Sequence, residues 1–175
     1  MRKRSALFYS AGVTSLLSVA ILGGERLYVH PQVDTLRHAD AVLVLGGYAY
    51  DRYPFGLGLV QEGWAPNLVF SDPRDALNCN PPPPGVDLFC FVPEPATTRG
   101  EARGFAKLAA ENHWRSVIVV TFVPQVSRAR FIIQRCFDGE VVMVASPPNP
   151  PLSRWLFEFI YQTAGYLRAL AQPGC

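Results

Sequence analysis

Glu101, Arg128 and Arg52 are the residues of this chain best suited to chemistry. Glu101 lies in the run Thr97-Thr98-Arg99-Gly100-Glu101-Ala102, which opens a helix-like segment. Arg128 lies in Pro124-Gln125-Val126-Ser127-Arg128-Ala129-Arg130, just after the apolar run Ser116 to Thr121. A carboxylate can orient a cationic or hydroxylated ligand, or serve as a general base. A guanidinium can clamp a phosphate or carboxylate with two parallel hydrogen bonds. Arg52 follows a second apolar run that ends in Gly46-Gly47, and backbone N–H groups of such a pair can approach an anion closely. In an open α/β sheet the strand ends and the following helix starts face one crevice, at the carboxyl edge of the strands. That rule draws Gly46, Gly47, Arg52, Thr98, Glu101, Thr121 and Arg128 towards a single site, with Glu101 as its catalytic candidate.

Each of these signals also has a purely structural explanation. Gly46-Gly47 suits a tight turn that needs positive φ. It is not a dinucleotide fingerprint, because no further glycine follows at the required spacing. Thr98-x-x-Glu101 matches a capping box, in which the hydroxyl accepts from the Glu101 N–H and the carboxylate reaches back. Arg128, like Arg130 and Arg135, is explained equally well as a solvated helix arginine. Taken singly, the glycine pair reads as a turn and the threonine as a cap.

The elements that must position these residues read in order. Asp40 to Leu45, Asn67 to Ser71, Ser116 to Thr121 and Val141 to Ala145 are apolar runs of strand length. Apolar character on both faces predicts buried parallel strands. Helices are predicted over 51–63, with Pro54 in the first turn, and over 98–111, 124–137 and 152–170. The alternation predicts an α/β, three-layer Rossmann-like domain over 40–175, with a mostly parallel sheet. Residues 25–39 are polar and mixed and read as a tether. Residues 72–96 carry Pro81 to Pro84, Pro73, Pro93 and Pro95, and read as a Pro-rich insertion without regular structure. Cys79 and Cys90 are candidates to staple it by a disulfide. Cys136 and Cys175 are a possible second pair, although four cysteines allow three connectivities and the sequence does not choose.

The 175 residues suffice for one domain with a sizeable core. The formal charge is +2, but Arg2, Lys3 and Arg4 supply three positive charges before any acid, so taking three from +2 leaves −1 for the rest. A near-neutral body gives no electrostatic case for nucleic acid. No Walker A loop, Gly-x-Ser-x-Gly elbow or metal-ligand cluster occurs in the sequence. The histidines are His30, His38 and His113, none placed to serve a Ser-His-Asp site.

After Met1-Arg-Lys-Arg4, no charge occurs from Ser5 to Gly24. Twenty helical residues span about 30 Å, the thickness of a bilayer's hydrocarbon core. Residues 1–24 therefore read as one N-terminal transmembrane helix, with its basic end in the cytoplasm. The alternative is a cleaved signal peptide, with Ser18-Val19-Ala20 as a small-x-small site. Both readings place the domain on the extracytoplasmic side of the cell membrane.

Three stretches together resemble the DUF218 family (YdcF-, SanA- and ElyC-like proteins). They are Asp40-Ala-Val-Leu-Val-Leu-Gly-Gly47 with Arg52, Gly63-x-Ala-Pro66 with Ser71, and Thr97-Thr98-x-x-Glu101 followed by Val120-Thr121 and Arg128-Ala129. The resemblance covers roughly Asp40 to Ala145, and the basic, apolar amino end resembles that of the family's envelope members. It implies a Rossmann-like domain and a role in the cell envelope. It also implies a small anionic or nucleotide-like ligand, such as S-adenosylmethionine. It adds Ser71 and Gln125 to the candidate ligand-binding set. The chain departs from the family pattern in having Gln125 where the family has His and Phe122 where it has Ser. Gln cannot shuttle a proton near neutral pH.

Two functions follow. The first is an exported, membrane-anchored protein of envelope maintenance that binds a phosphorylated or nucleotide-like small molecule. The second is a non-catalytic scaffold that meets protein partners through the Pro-rich insertion and the C-terminal helix.

Overall fold

The computed structural model describes residues 23–47, 52–71, 79 and 84–175. Five parallel strands form one sheet: β1 (Ala41–Val44), β2 (Asn67–Ser71), β3 (Asp87–Phe91), β4 (Ser116–Phe122) and β5 (Glu140–Ser146). Their order across the sheet is β3-β2-β1-β4-β5. The α-helices are α1 (Arg52–Gln61), α2 (Thr98–Glu111), α3 (Val126–Ile133) and α4 (Trp155–Ala171). All four predicted strands are present, and the mixed α/β class follows from them.

The sheet has two covered faces because the middles of its central strands, Ala41–Val44 and Val117–Val120, are apolar on both. Ala41, Leu43 and Leu45 point to one side and pack with Ala102 and Phe105 of α2 and Ala129 and Ile133 of α3. Val42 and Val44 point to the other, against Leu59 and Val60 of α1. The register sets Leu43 beside Val69 on β2 and Val119 on β4, so the apolar layers continue across strands. Helix α4 is different. It packs on α3 and on the turn before it rather than on the sheet.

At the amino edge of the sheet, Asp40 Oδ2 accepts from the N–H groups of Arg115 and Ser116, at 2.7 and 2.8 Å. That clamp fixes how β1 and β4 start, and so where their carboxyl ends lie. The connection from β4 to α3 has no loop. Val123–Gln125 form a 3-10 turn with Pro124 in its first turn, and α3 follows at once. Gln125 and Arg128 are thereby held close to the end of β4.

Three expectations change. Residues 72–96 are not all irregular, because Asp87–Phe91 form the edge strand β3. Its half-exposed residues and flanking prolines hide it, since an edge strand buries too little to read as an apolar run. The predicted helix 124–137 is shorter, with α3 ending at Ile133. The capping box on Thr98 does not form. The N-cap is Thr97, whose hydroxyl accepts from Gly100 N–H, while the Glu101 side chain points away.

Residues 25–39 lie along the body. Glu25–Val29 make one π-helical turn with Tyr28 buried. Asp34 receives Arg130 at 2.9 Å and the Met143 N–H at 2.8 Å. Two disulfides are present, Cys79–Cys90 and Cys136–Cys175. Among the described residues no helix is long and apolar enough to cross a membrane, and the transmembrane helix expected over 1–24 lies almost wholly outside them.

Candidate functional site

The order of the sheet reverses between β1 and β4, so the chain leaves their carboxyl ends in opposite directions and opens a crevice there. A cavity of about 350 Å³ occupies that place. Gly46, Gly47, Arg52, Thr98, Glu101, Gln125 and Arg128 all line it. These seven come from four separate stretches of sequence, and the fold brings them together.

Glu101 sits at the centre and is buried. One carboxyl oxygen, Oε1, accepts the Gly46 N–H at 2.6 Å and the Ser71 hydroxyl. Ser71 Oγ in turn accepts from the same Gly46 N–H at 2.9 Å. The Gly46 N–H is therefore committed inside the protein. It does not serve as the free anion donor that the glycine pair suggested. Burial pushes the Glu101 carboxyl above the usual range; the Ser71 and Gly46 hydrogen bonds and the charges of Arg52 and Arg128 oppose this without cancelling it. A carboxyl raised in this way keeps its proton to higher pH than a solvated one.

Gly47 takes φ +114°, a conformation that favours glycine, and a Cβ there would meet Arg52 Nη2 at 3.0 Å. The positive φ is what favours glycine here, and the Arg52 guanidinium packs close on it. Arg52 is buried, donates from Nη1 to Gly46 O at 2.9 Å and lies over the Phe122 ring at 5.5 Å.

Arg128 is not a solvated helix arginine. It is 7% exposed and bound at two points. Its Nε donates to Gln162 Oε1 at 2.7 Å and its Nη1 to Thr98 Oγ1 at 3.2 Å. Burial lowers its proton affinity, countered by Tyr161, Glu101, Glu158 and Tyr28, but a guanidinium stays charged at any physiological pH. Thr98 also accepts from Gln125 Nε2 at 3.0 Å, and Gln125 Oε1 accepts from Thr121 Oγ1 at 3.0 Å. Thr98, freed from capping by Thr97, is the junction of this network.

Ser71 and Thr121 have no exposed surface. They stand behind Glu101 and Gln125 and hold them, rather than lining the cavity. Sequence reasoning missed the opposite wall, built by α4. Arg154 donates to Glu158 at 3.0 Å and Gln162 donates to Glu158 at 3.1 Å, so the chain of hydrogen bonds runs from Thr121 to Arg154. Phe157 and Tyr161 complete that wall, with Arg128 over the Tyr161 ring at 5.8 Å. A signal was present: Arg154, Glu158 and Gln162 recur every four residues at the start of a mostly apolar helix, and such a polar ladder must face something polar.

Among the described residues no three His, Cys, Asp or Glu side chains group as a metal site would require. The histidines stand away from the cavity lining. No family model matches the chain, and no curated protein or solved structure matches it either.

Proposed function

We propose that this is an exported, membrane-anchored protein of the DUF218 type, with a Rossmann-like layout, acting in cell-envelope maintenance. Its crevice binds a phosphorylated or nucleotide-like small molecule. The observation that carries the reading is the pairing of two buried arginines, Arg52 and Arg128, with a buried carboxyl, Glu101, in one cavity at the carboxyl edge of β1 and β4. Desolvated cations cost several kcal/mol unless something anionic or a rich set of acceptors compensates them. Arg128 uses two of its donors internally and presents the remainder towards the cavity. Arg52 packs on the glycine turn and lines the same cavity.

In this reading the arginines hold the anionic group and Gln125 and Thr98 orient its neighbours. Glu101 offers or takes a proton through the oxygen not occupied by Gly46 and Ser71. With Gln in place of a histidine at position 125, proton transfer falls to Glu101 alone.

The test is a thermal shift of the full chain in detergent against inorganic phosphate, nucleotides, S-adenosylmethionine and polyprenyl phosphate analogues. A ligand at 100 times its dissociation constant adds about 2.7 kcal/mol of stability. That increment is expected to vanish in Arg128→Met, measured against the variant's own ligand-free melting point. An increment that survives Arg128→Met, or no increment from any anion, rejects the reading.

A further inference from the structure

The outward face of α4 has the wrong chemistry for water. Leu156, Ile160, Leu167 and Leu170 recur at spacings that form one helical stripe, and their exposures are 74%, 64%, 62% and 54%. Phe157 and Tyr161 widen the stripe at the cavity rim, and Leu152 extends it before the helix begins. Seven of the ten large apolar side chains exposed among the described residues fall within this one stretch. The only acid between residues 151 and 175 is Glu158, and it is turned inward and 2% exposed. Arg168 is the exposed charge of the helix, while Arg154 pairs with Glu158 on the cavity side. An apolar stripe broken only by Thr163, with Arg168 beside it and no exposed acid, is the pattern of a helix lying in a membrane interface.

The entry of the chain into the body points to the same partner. The uncharged stretch from Ser5 runs to Gly24, and Gly24 is seated on α4 itself. A Cβ on Gly24 would come within 2.6 Å of Phe159 Cε1. Tyr28 packs edge-on against the Phe159 ring at 5.4 Å, and its hydroxyl meets Thr163 Oγ1 at 3.0 Å. Gly24 and Tyr28, where the described chain begins, therefore lie against the side of α4.

We infer that α4 lies flat on the bilayer, with Leu156, Ile160, Leu167 and Leu170 inserted at the boundary of headgroups and acyl chains. The inference builds on the reading of residues 1–24 as membrane-embedded, because Gly24, at the end of that segment, lies against α4. A 17-residue helix is about 25 Å long, so it meets the bilayer as a rod with its axis parallel to the plane. Apolar faces of such helices sit about 5–10 Å into the interface. Phe157 and Tyr161 belong both to this face and to the cavity rim, so the mouth of the crevice lies beside the headgroup layer.

The test uses full-length chain in phosphatidylcholine vesicles with some lipids nitroxide-labelled along the acyl chain. All four native cysteines are in disulfides, so an introduced one is labelled alone. A fluorophore is placed in turn at Ile160→Cys, at Gly12→Cys in the amino-terminal stretch, and at Lys107→Cys on the outer side of α2. The expected result is strong lipid quenching at 160, strong quenching at 12 and none at 107. Quenching at 12 without quenching at 160 overturns the inference and leaves the anchor standing. If 160 is unquenched yet shielded from an aqueous quencher, a second copy or the chain's own amino-terminal stretch covers the stripe, and the inference is again overturned. Quenching at neither 12 nor 160 removes both readings. Quenching at 160 alone supports the flat helix independently of the anchor.

Discussion

Glu101 Oε1 accepts the backbone N–H of Gly46 at 2.6 Å, across a sequence separation of 55. This one bond ties the start of α2 to the turn after β1, and with it the two halves of the crevice. A helix-start carboxylate that forgoes its own helix to bind a distant backbone group is positioned for the site rather than for the cap. The Thr97 cap makes this possible by satisfying the helix end without Glu101.

A pH signature follows from Glu101. Its folded-state pKa is raised by burial above the ordinary 4.5. Below that ordinary value both states are protonated and its contribution is fully present. As pH rises, the unfolded chain ionises first, so stability drains away until the folded-state value is passed. Glu101→Gln keeps an acceptor for Gly46 and Ser71 but cannot ionise. Its melting temperature relative to wild type is expected to rise with pH from about pH 4.5 upward and then level off. Glu101→Ala, which strands the Gly46 N–H and the Ser71 hydroxyl, is expected to cost roughly 1–3 kcal/mol at every pH. Paired thermal melts across pH for the three proteins check both statements. A Glu101→Gln difference that falls with pH contradicts them.

Asp34 carries the opposite sign. Burial works against its ionisation, but Arg130 and the Met143 N–H outweigh it and hold the carboxyl below its ordinary 3.8. Its contribution is present above pH 3.8 and is lost as pH falls through the depressed folded-state value. Asp34→Asn is expected to cost about 1–2 kcal/mol near neutral pH and almost nothing at the acid limit. Urea titrations at the two pH values measure the difference. A cost independent of pH counts against the Arg130 pairing.

The inner strands were legible because β1 and β4 are buried on both faces, which produces runs such as Val42-Leu43-Val44 that few other structures tolerate. β3 was not legible, because Leu88 and Phe91 are only half buried and the ladder bonds that make it a strand leave no trace in composition. At the site, the cluster of Gly46, Arg52, Glu101 and Arg128 was legible from sheet-edge logic. The α4 wall was not, because nothing before the fold says which helix folds back over the crevice. The side-chain roles were half legible. Thr98 and Glu101 fit a capping motif as well as a site, and only the geometry of Thr97 separates the two.

Two glycines of α1 make a matched pair. A Cβ on Gly56 would lie 2.2 Å from Val44 Cγ2, inside the packed layer against β1, whereas a Cβ on Gly58 meets nothing within 4 Å. Gly58→Ala is expected to stabilise by about 0.5–1 kcal/mol, since alanine loses less backbone freedom in a helix. Gly56→Ala is expected to destabilise by roughly 1–3 kcal/mol through overpacking. Chemical denaturation of the two variants decides the signs. Equal shifts in the same direction contradict the packing of α1 on Val44.

The two disulfides close loops of different length, and that difference sets their expected effects. Cys79 and Cys90 are 11 residues apart, Cys136 and Cys175 are 39 apart. In the chain-entropy account, removal costs about 3 kcal/mol for the shorter loop and about 4 kcal/mol for the longer. The longer one also holds the carbonyls of residues 173 to 175 against Arg99 Nη2 and that of Cys175 against Arg103. Cys136→Ser with Cys175→Ser is therefore expected to lower the melting temperature more than Cys79→Ser with Cys90→Ser. It also frees Arg99 and Arg103 at the edge of the cavity between α2, α3 and α4. Cys79–Cys90 ties β3 to the chain that precedes it, so its loss is expected to loosen an edge strand and leave the crevice intact. Thermal melts rank the two stabilities, and hydrogen exchange of the β3 amides, with β4 as internal control, reports the edge. Faster exchange in β4 than in β3 after loss of Cys79–Cys90 rules out this division of labour.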